Sequence, residues 1–195
     1  MRRFALAIWV LMTVVCSACT GVRDAEQNTA INDYYAHISA LETVCAVRMD
    51  HGDSVSDYCI AYRFDHQTHT LTVLEPNVLN GLTVEVGAET HSITYEGIVF
   101  APQALSGSAV SPVRVLCDLL PTWQNGYAEA VTKEETEAGD AIVCTFTSMQ
   151  TGEVFSYRVW FLQETYLPLK AECFSEGYLV MTVAFSDVAV TKLEE

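Results

Sequence analysis

From Thr43 onward the apolar residues recur every second position in short runs, and the segments between the runs each carry a Gly, Asn, Asp or Pro. This rhythm constrains the fold more than any other feature, because a side-chain period of two places alternate residues on opposite faces of a strand. Runs broken by turn residues at such short intervals read as an antiparallel meander. The runs are Thr43–Met49, Tyr58–Phe64, Thr70–Leu74, Leu82–Val86, Ser92–Tyr95 and Ile98–Phe100, then Tyr127–Thr132, Ile142–Met149, Val154–Leu162, Leu169–Phe174 and Tyr178–Phe185. Two segments break the period. Asp24 to Ala40 carries Ile31, Tyr34, Tyr35, Ile38 and Leu41 at three- and four-residue spacing, which predicts a helix. Ser111–Pro112 reads as an N-cap with proline at the first helical position; Val113, Leu116, Cys117 and Leu120 follow as one stripe, and Pro121 is expected to bend or end the helix. The expected class is α+β, a single large curved antiparallel sheet of about 10–11 strands with two helices.

Several strands are apolar on both faces. Val154–Leu162 places Phe155, Tyr157, Val159 and Phe161 on one side and Val154, Trp160 and Leu162 on the other. A sheet covered on one face and wet on the other does not need this. A half-open barrel, with one face packed on helices and a hollow or partner surface left over, accounts for it.

The N-terminus has a separate logic. Arg2–Arg3 precede residues 4–15, which are apolar apart from Thr13, and small residues follow. This is the pattern of a secretory signal, too short to span about 30 Å of hydrocarbon. Val15–Cys16–Ser17–Ala18–Cys19 also resembles a bacterial lipobox, in which Cys19 is diacylated and becomes the new N-terminus; Cys16 departs from the aliphatic residue usual at its position. The expected organisation is a lipoprotein signal over 1–18, a lipidated Cys19 with tether over 19–29, a domain over 30–190 and a tail over 191–195. The expected location is extracytoplasmic, held to the membrane through the Cys19 lipid.

Charge narrows the partners. With 10 Lys+Arg against 25 Asp+Glu, the net charge is -15. Scattered basic residues do not make a nucleic-acid surface, and an acidic body is not drawn to anionic lipid. Five Cys follow the signal: Cys45, Cys59, Cys117, Cys144 and Cys173. Cys45 and Cys59 lie equally far from Gly52, so a hairpin centred there would allow a cross-strand disulfide; the other reading is that each is a small buried hydrophobe.

No catalytic, metal or cofactor signature emerges. Gly52–Asp53–Ser54 has the start of an ester-hydrolase motif but lacks a downstream Asp-x-x-His and reads as turn chemistry. Asp65–His69 holds His66 and His69 without a third ligand. Glu134, Glu135 and Glu137 read as a solvated turn. Trp123, after Pro121, is either an exposed anchor for a partner or a core edge.

Tyr62–Arg63–Phe64, Leu71–Thr72–Val73–Leu74–Glu75–Pro76, Asn77–Val78–Leu79–Asn80–Gly81, Tyr95–Glu96–Gly97, Ser111–Pro112, Leu119–Leu120, Leu167–Pro168 and Phe185–Ser186–Asp187–Val188 occur in this order. This order is similar to the LolA/LolB-like lipoprotein-carrier family, in particular its lipid-anchored members in spore-forming Gram-positive bacteria, which include spore-germination lipoproteins. The resemblance implies an unclosed β-barrel with helices plugging its concave side, an apolar cavity for acyl chains, and no enzyme activity. Tyr62, Phe64, Phe100, Leu116, Leu120, Phe155, Tyr157, Val159 and Phe161 are the expected cavity lining, or else plain core. A shuttle has to diffuse, whereas Cys19 points to a fixed protein. The expected function is therefore a tethered binding or scaffold protein of the envelope, with a role in sporulation or germination, an envelope protein partner and a capacity to dimerise. The alternative is a carrier that sequesters an acyl chain.

Overall fold

The helix-to-strand switch comes earlier than the sequence spacing suggests. In the computed structural model, which describes residues 26–88, 91–100, 111–150 and 153–193, helix α1 covers residues 26–36 and strand β1 runs over Ile38–Asp50. Ile38 and Leu41, read as the end of a helical stripe, belong to β1. A β-bulge between Ile38 and Ala40 adds one residue, so two side chains three apart both point inward and imitate a helical period. The His37 backbone carbonyl accepts from Leu193 N at 2.8 Å, which fastens the turn to the far end of the chain.

Ten more strands follow: β2 (Val55–Asp65), β3 (Thr68–Glu75), β4 (Thr83–Val86), β5 (His91–Tyr95), β6 (Ile98–Phe100), β7 (Ala128–Thr136), β8 (Gly139–Gln150), β9 (Glu153–Leu162), β10 (Pro168–Ser175) and β11 (Tyr178–Lys192). Most are longer than their apolar runs, because ladder hydrogen bonds carry pairing into the flanking polar residues. They form one 11-stranded antiparallel sheet in the order β6-β5-β4-β3-β2-β1-β11-β10-β9-β8-β7. Two meanders are thus joined by the β1–β11 pair, and β6 and β7 are left as edges, so the sheet is unclosed.

Helix α2 (Pro112–Asn125) connects those two edges. Ser111 caps it, its Oγ accepting from Arg114 N at 3.2 Å, and Pro112 takes the first turn, where a missing N–H costs nothing. Pro121 does not end the helix. Thr122 Oγ1 donates to the Asp118 carbonyl at 2.7 Å, and Trp123 buries just beyond it. Gly126 stops the helix: its N–H donates to the Thr122 carbonyl, while its own carbonyl accepts from Asn32 Nδ2 at 3.0 Å. Trp123 is 2% exposed, with its ring within 5.1–5.8 Å of Tyr35, Phe161 and Phe185, so it is core and not an exposed anchor.

The inward residues of the sheet and the apolar faces of both helices form one continuous core. The outer face of β9 has its own covering. Trp160 packs with Ala141, Val143 and Leu169, donates from Nε1 to Glu134 Oε2 at 2.9 Å, and carries the Lys170 ammonium 3.7 Å from its ring centroid. Glu134 is therefore more than a solvated turn residue, and the chain's own side chains cover much of the apolar excess on this strand. Val154, by contrast, remains 50% exposed.

Candidate functional site

The expected lining residues converge on the inner side of the sheet. Tyr62, Leu116, Leu120, Phe155, Tyr157, Val159 and Phe161 are buried in the core, and Phe64 packs against it half-buried. Phe100 ends β6, but its side chain lies outside the described residues, as does Cys19. Helix α2 occupies most of the hollow that these side chains surround. What remains between Tyr62, Leu116, Trp123 and Phe185 is a cavity of about 10 Å³, close to the size of a single water.

A larger space opens beside the first turns of α2. A cleft of about 450 Å³ lies between α2 and strands β3–β5, within the range of small-ligand sites. The sheet supplies one wall through register: His69 pairs with Val86, and Val86 with His91, so the three form a row across β3, β4 and β5 on one face. Helix periodicity supplies the other wall, because Val113, Arg114, Cys117 and Asp118 recur at three- and four-residue spacing. Val113 and Cys117 are the half-buried part of the predicted helical stripe; Leu116 and Leu120 point into the core.

The polar groups of the cleft are held in place. Tyr62 Oη and His69 Nδ1 share a hydrogen bond at 2.8 Å, and the His69 ring lies 5.1 Å from that of Phe64. Tyr157 donates its hydroxyl to Asp118 Oδ2 at 2.7 Å, both residues being buried. The Arg114 guanidinium carbon sits 4.9 Å over the Phe155 ring. Burial pushes the Cys117 thiol up to about 12, with the Asp118 charge adding to it. Burial also raises Tyr62 and, together with Asp118, Tyr157. Burial lowers His69. The thiol and the two phenols thus keep their protons and are available for hydrogen bonding beside the cleft.

Two further depressions are built differently. One of about 610 Å³ lies on the outer face around Ser156, Arg158 and Phe174, and one of about 640 Å³ lies along α1 and β7. The cleft beside α2 alternates apolar and convergent polar groups on the inner face.

Sequence reasoning missed this site. Arg114 and Asp118 stand one turn apart within an apolar stripe, a signal that was there to find. His69 was weighed only with His66, whose side chain is 82% exposed in the β2–β3 turn. The hairpin register also differs from a centring on Gly52. Cys45 pairs with Ile60 and Cys59 with Ala46, which puts the two sulfurs on opposite faces, and both thiols are free. The one-residue offset reverses the side of every residue on the strand.

No protein-family model matches the sequence, and no curated protein matches it. Solved structures do resemble the fold. An uncharacterized conserved protein from Thermus thermophilus aligns with TM-score 0.51 and 8% identity, over 85% of this chain and 88% of that one. A LolA superfamily protein from Nitrosomonas europaea aligns with TM-score 0.42 and 13% identity, over 88% and 95%. Lipoprotein LppX from Mycobacterium tuberculosis aligns with TM-score 0.42 and 12% identity, over 84% and 93%. With the Thermus thermophilus protein the likeness is one of fold alone, which in this chain is a single unclosed antiparallel sheet with two helices on its inner side.

Proposed function

We propose that this chain is a non-enzymatic, membrane-tethered protein of the cell envelope that takes an acyl chain or a similar apolar ligand into the cleft beside α2. The observation that carries the reading is the cleft of about 450 Å³ on the inner face, walled by Val86, Val113 and Cys117 and punctuated by a few fixed polar groups. The export signal and Cys19 supply the tether, because buried methylenes of a covalent lipid anchor a protein without help from its surface charge. The resemblance to spore-germination lipoproteins makes sporulation and germination the processes in which to seek a phenotype.

Native mass spectrometry of the full chain purified from membranes tests this. The expected result is a non-covalent ligand of acyl mass that is lost in Val113→Trp, whose larger side chain fills the cleft. A ligand-free spectrum, or a ligand retained in Val113→Trp, would overturn the reading. Release from membranes in Cys19→Ala tests the tether separately. A second reading, a scaffold for a protein partner, is favoured by edge strand β6, where Ile98 is 60% and Val99 68% exposed. Ligand-free dimers or partner complexes in the same spectra would support it.

A further inference from the structure

We infer that the outer face of β8–β11, at the end of the sheet that carries the β8–β9 and β10–β11 turns, docks a protein segment built of an apolar anchor flanked by Lys or Arg. This surface is on the opposite side of the sheet from the cleft beside α2 and is separate from edge strand β6, so it stands whether or not that cleft takes an acyl chain. Register builds it. Met149 pairs with Val154, Ser156 with Phe174 and, through a register shift after Cys173, Phe174 with Leu179, so an apolar row crosses four strands. The depression of about 610 Å³ lies along this row, between Val154 and Phe174, with Thr145, Ser156 and Arg158 completing its lining. That is room for a large anchoring side chain.

The row is open where the rest of this face is closed. Further along β9 Trp160 is covered by Glu134 and Lys170, whereas Met149 is 75% and Leu179 44% exposed, with Val154 half-exposed between them. An uncovered apolar row of this kind is a contact surface for another molecule. Charge decides which molecule. At this end of the sheet Asp50, Asp53 and Glu176 are exposed at the β1–β2 and β10–β11 turns. The two arginines near them are matched: Arg48 pairs with Asp57, and Arg158 is held between Glu172, at 3.7 Å, and the Phe174 ring. Lys133, Lys170, Lys192 and Arg63 all lie toward the opposite ends of their strands. The row therefore has a net negative border. Such a border repels an anionic lipid surface and the same border on a second copy, and attracts a partner with basic residues beside its apolar anchor.

The test uses the full chain in phosphatidylcholine nanodiscs and three short synthetic peptides that carry the same photo-crosslinker: one of Leu and Lys, one with Glu in place of Lys, and one with Ser in place of Leu. The expected result is labelling within β8–β11 by the Leu/Lys peptide about tenfold above either counterpart, the scale of one interface anchor, and weaker labelling as salt is raised. Leu179→Asp should abolish the labelling and Glu176→Lys should cut it severalfold. Should Leu179→Asp fail to fold, Val154→Ser is expected to weaken the labelling in its place. Equal labelling by the three peptides, labelling confined to other strands, or labelling unchanged in the folded variants overturns the inference. A benzophenone photo-crosslinker placed at Leu179, with no peptide added, tests the other occupants: transfer to lipid assigns the surface to a bilayer and transfer to a second copy assigns it to a dimer, and either result also overturns the inference.

Discussion

Replacing Tyr157 with Phe removes one oxygen and asks how much the buried Asp118–Tyr157 bond contributes. Tyr157 is 1% and Asp118 5% exposed, so water cannot readily replace the lost donor. The bond is 2.7 Å long, and the hydroxyl remains a donor because burial and then the Asp118 charge raise its pKa. Deleting a donor to a buried carboxylate costs about 1.5–3 kcal/mol. For a chain of this size, about 2 kcal/mol lowers Tm by about 4–8 °C. Urea and thermal melts followed by circular dichroism measure it, with Tyr178→Phe as control, since Tyr178 is 75% exposed and should stay within about 0.5 kcal/mol of wild type. The cycle is completed with Asp118→Leu. With both removed, neither is left facing the other's orphaned group, so the double variant should be about 1–2 kcal/mol more stable than the sum of the singles predicts. A Tyr157→Phe loss below about 0.5 kcal/mol, or strict additivity, would refute the reasoning.

Other outcomes follow from the same geometry. Gly126→Ala would press its Cβ against the Thr122 carbonyl and to 3.1 Å from Phe146 Cδ1, and should cost about 1–3 kcal/mol in urea melts. Burial holds the His69 pKa below the ordinary 6.5, so the unfolded chain takes up its proton first; stability should fall as pH drops through 6.5, and His69→Gln should remove that slope. The groups around this imidazole are Tyr62 and Phe64 from β2, Val86 from β4, His91 from β5, and Arg114 and Asp118 from α2. Cys45, Cys117 and Cys173, each pushed up to about 12 chiefly by burial, should resist a thiol reagent at pH 8 in the native state, with the half-buried Cys59 reacting ahead of them. Reductant should leave the melting temperature unchanged, whereas a Cys45–Cys59 disulfide would show a loss of about 2–4 kcal/mol.

The fold was largely legible in the sequence, because its main signal is local. Alternation along β2 and β9 and the Ser111–Pro112 start of α2 depend on neighbours in the chain, and each led to the right element. The misreadings share a cause. The Ile38–Leu41 spacing looked helical because a bulge, set by pairing with β11, inserted a residue; the Cys45–Cys59 hairpin slipped by one because turn geometry, not symmetry about Gly52, decides register. Pro121 was outweighed by the burial of Trp123. The candidate cleft was less legible still. His69, His91 and Arg114 are distant in sequence, and only cross-strand register and the path of α2 bring them to one volume. The doubly apolar β9 was read as a sign of a hollow or partner, but half of that signal is the Trp160 cluster on the outer face.

The pairing of β1 with β11 has a consequence for how the chain becomes a folded molecule. The strand entered first and the strand entered last are neighbours at the centre of the sheet, with Cys45 opposite Phe185 and Met49 opposite Met181. Each meander can assemble from local hairpins, yet the core is sealed only when sequence-distant strands meet, the slow step in folding of high contact order. A chain that emerges from a membrane N-terminus first would therefore stay open until Tyr178–Lys192 had cleared the pore. For that interval β1 and β10 present bare edges, so the last fifteen-residue strand works as the latch on the whole domain.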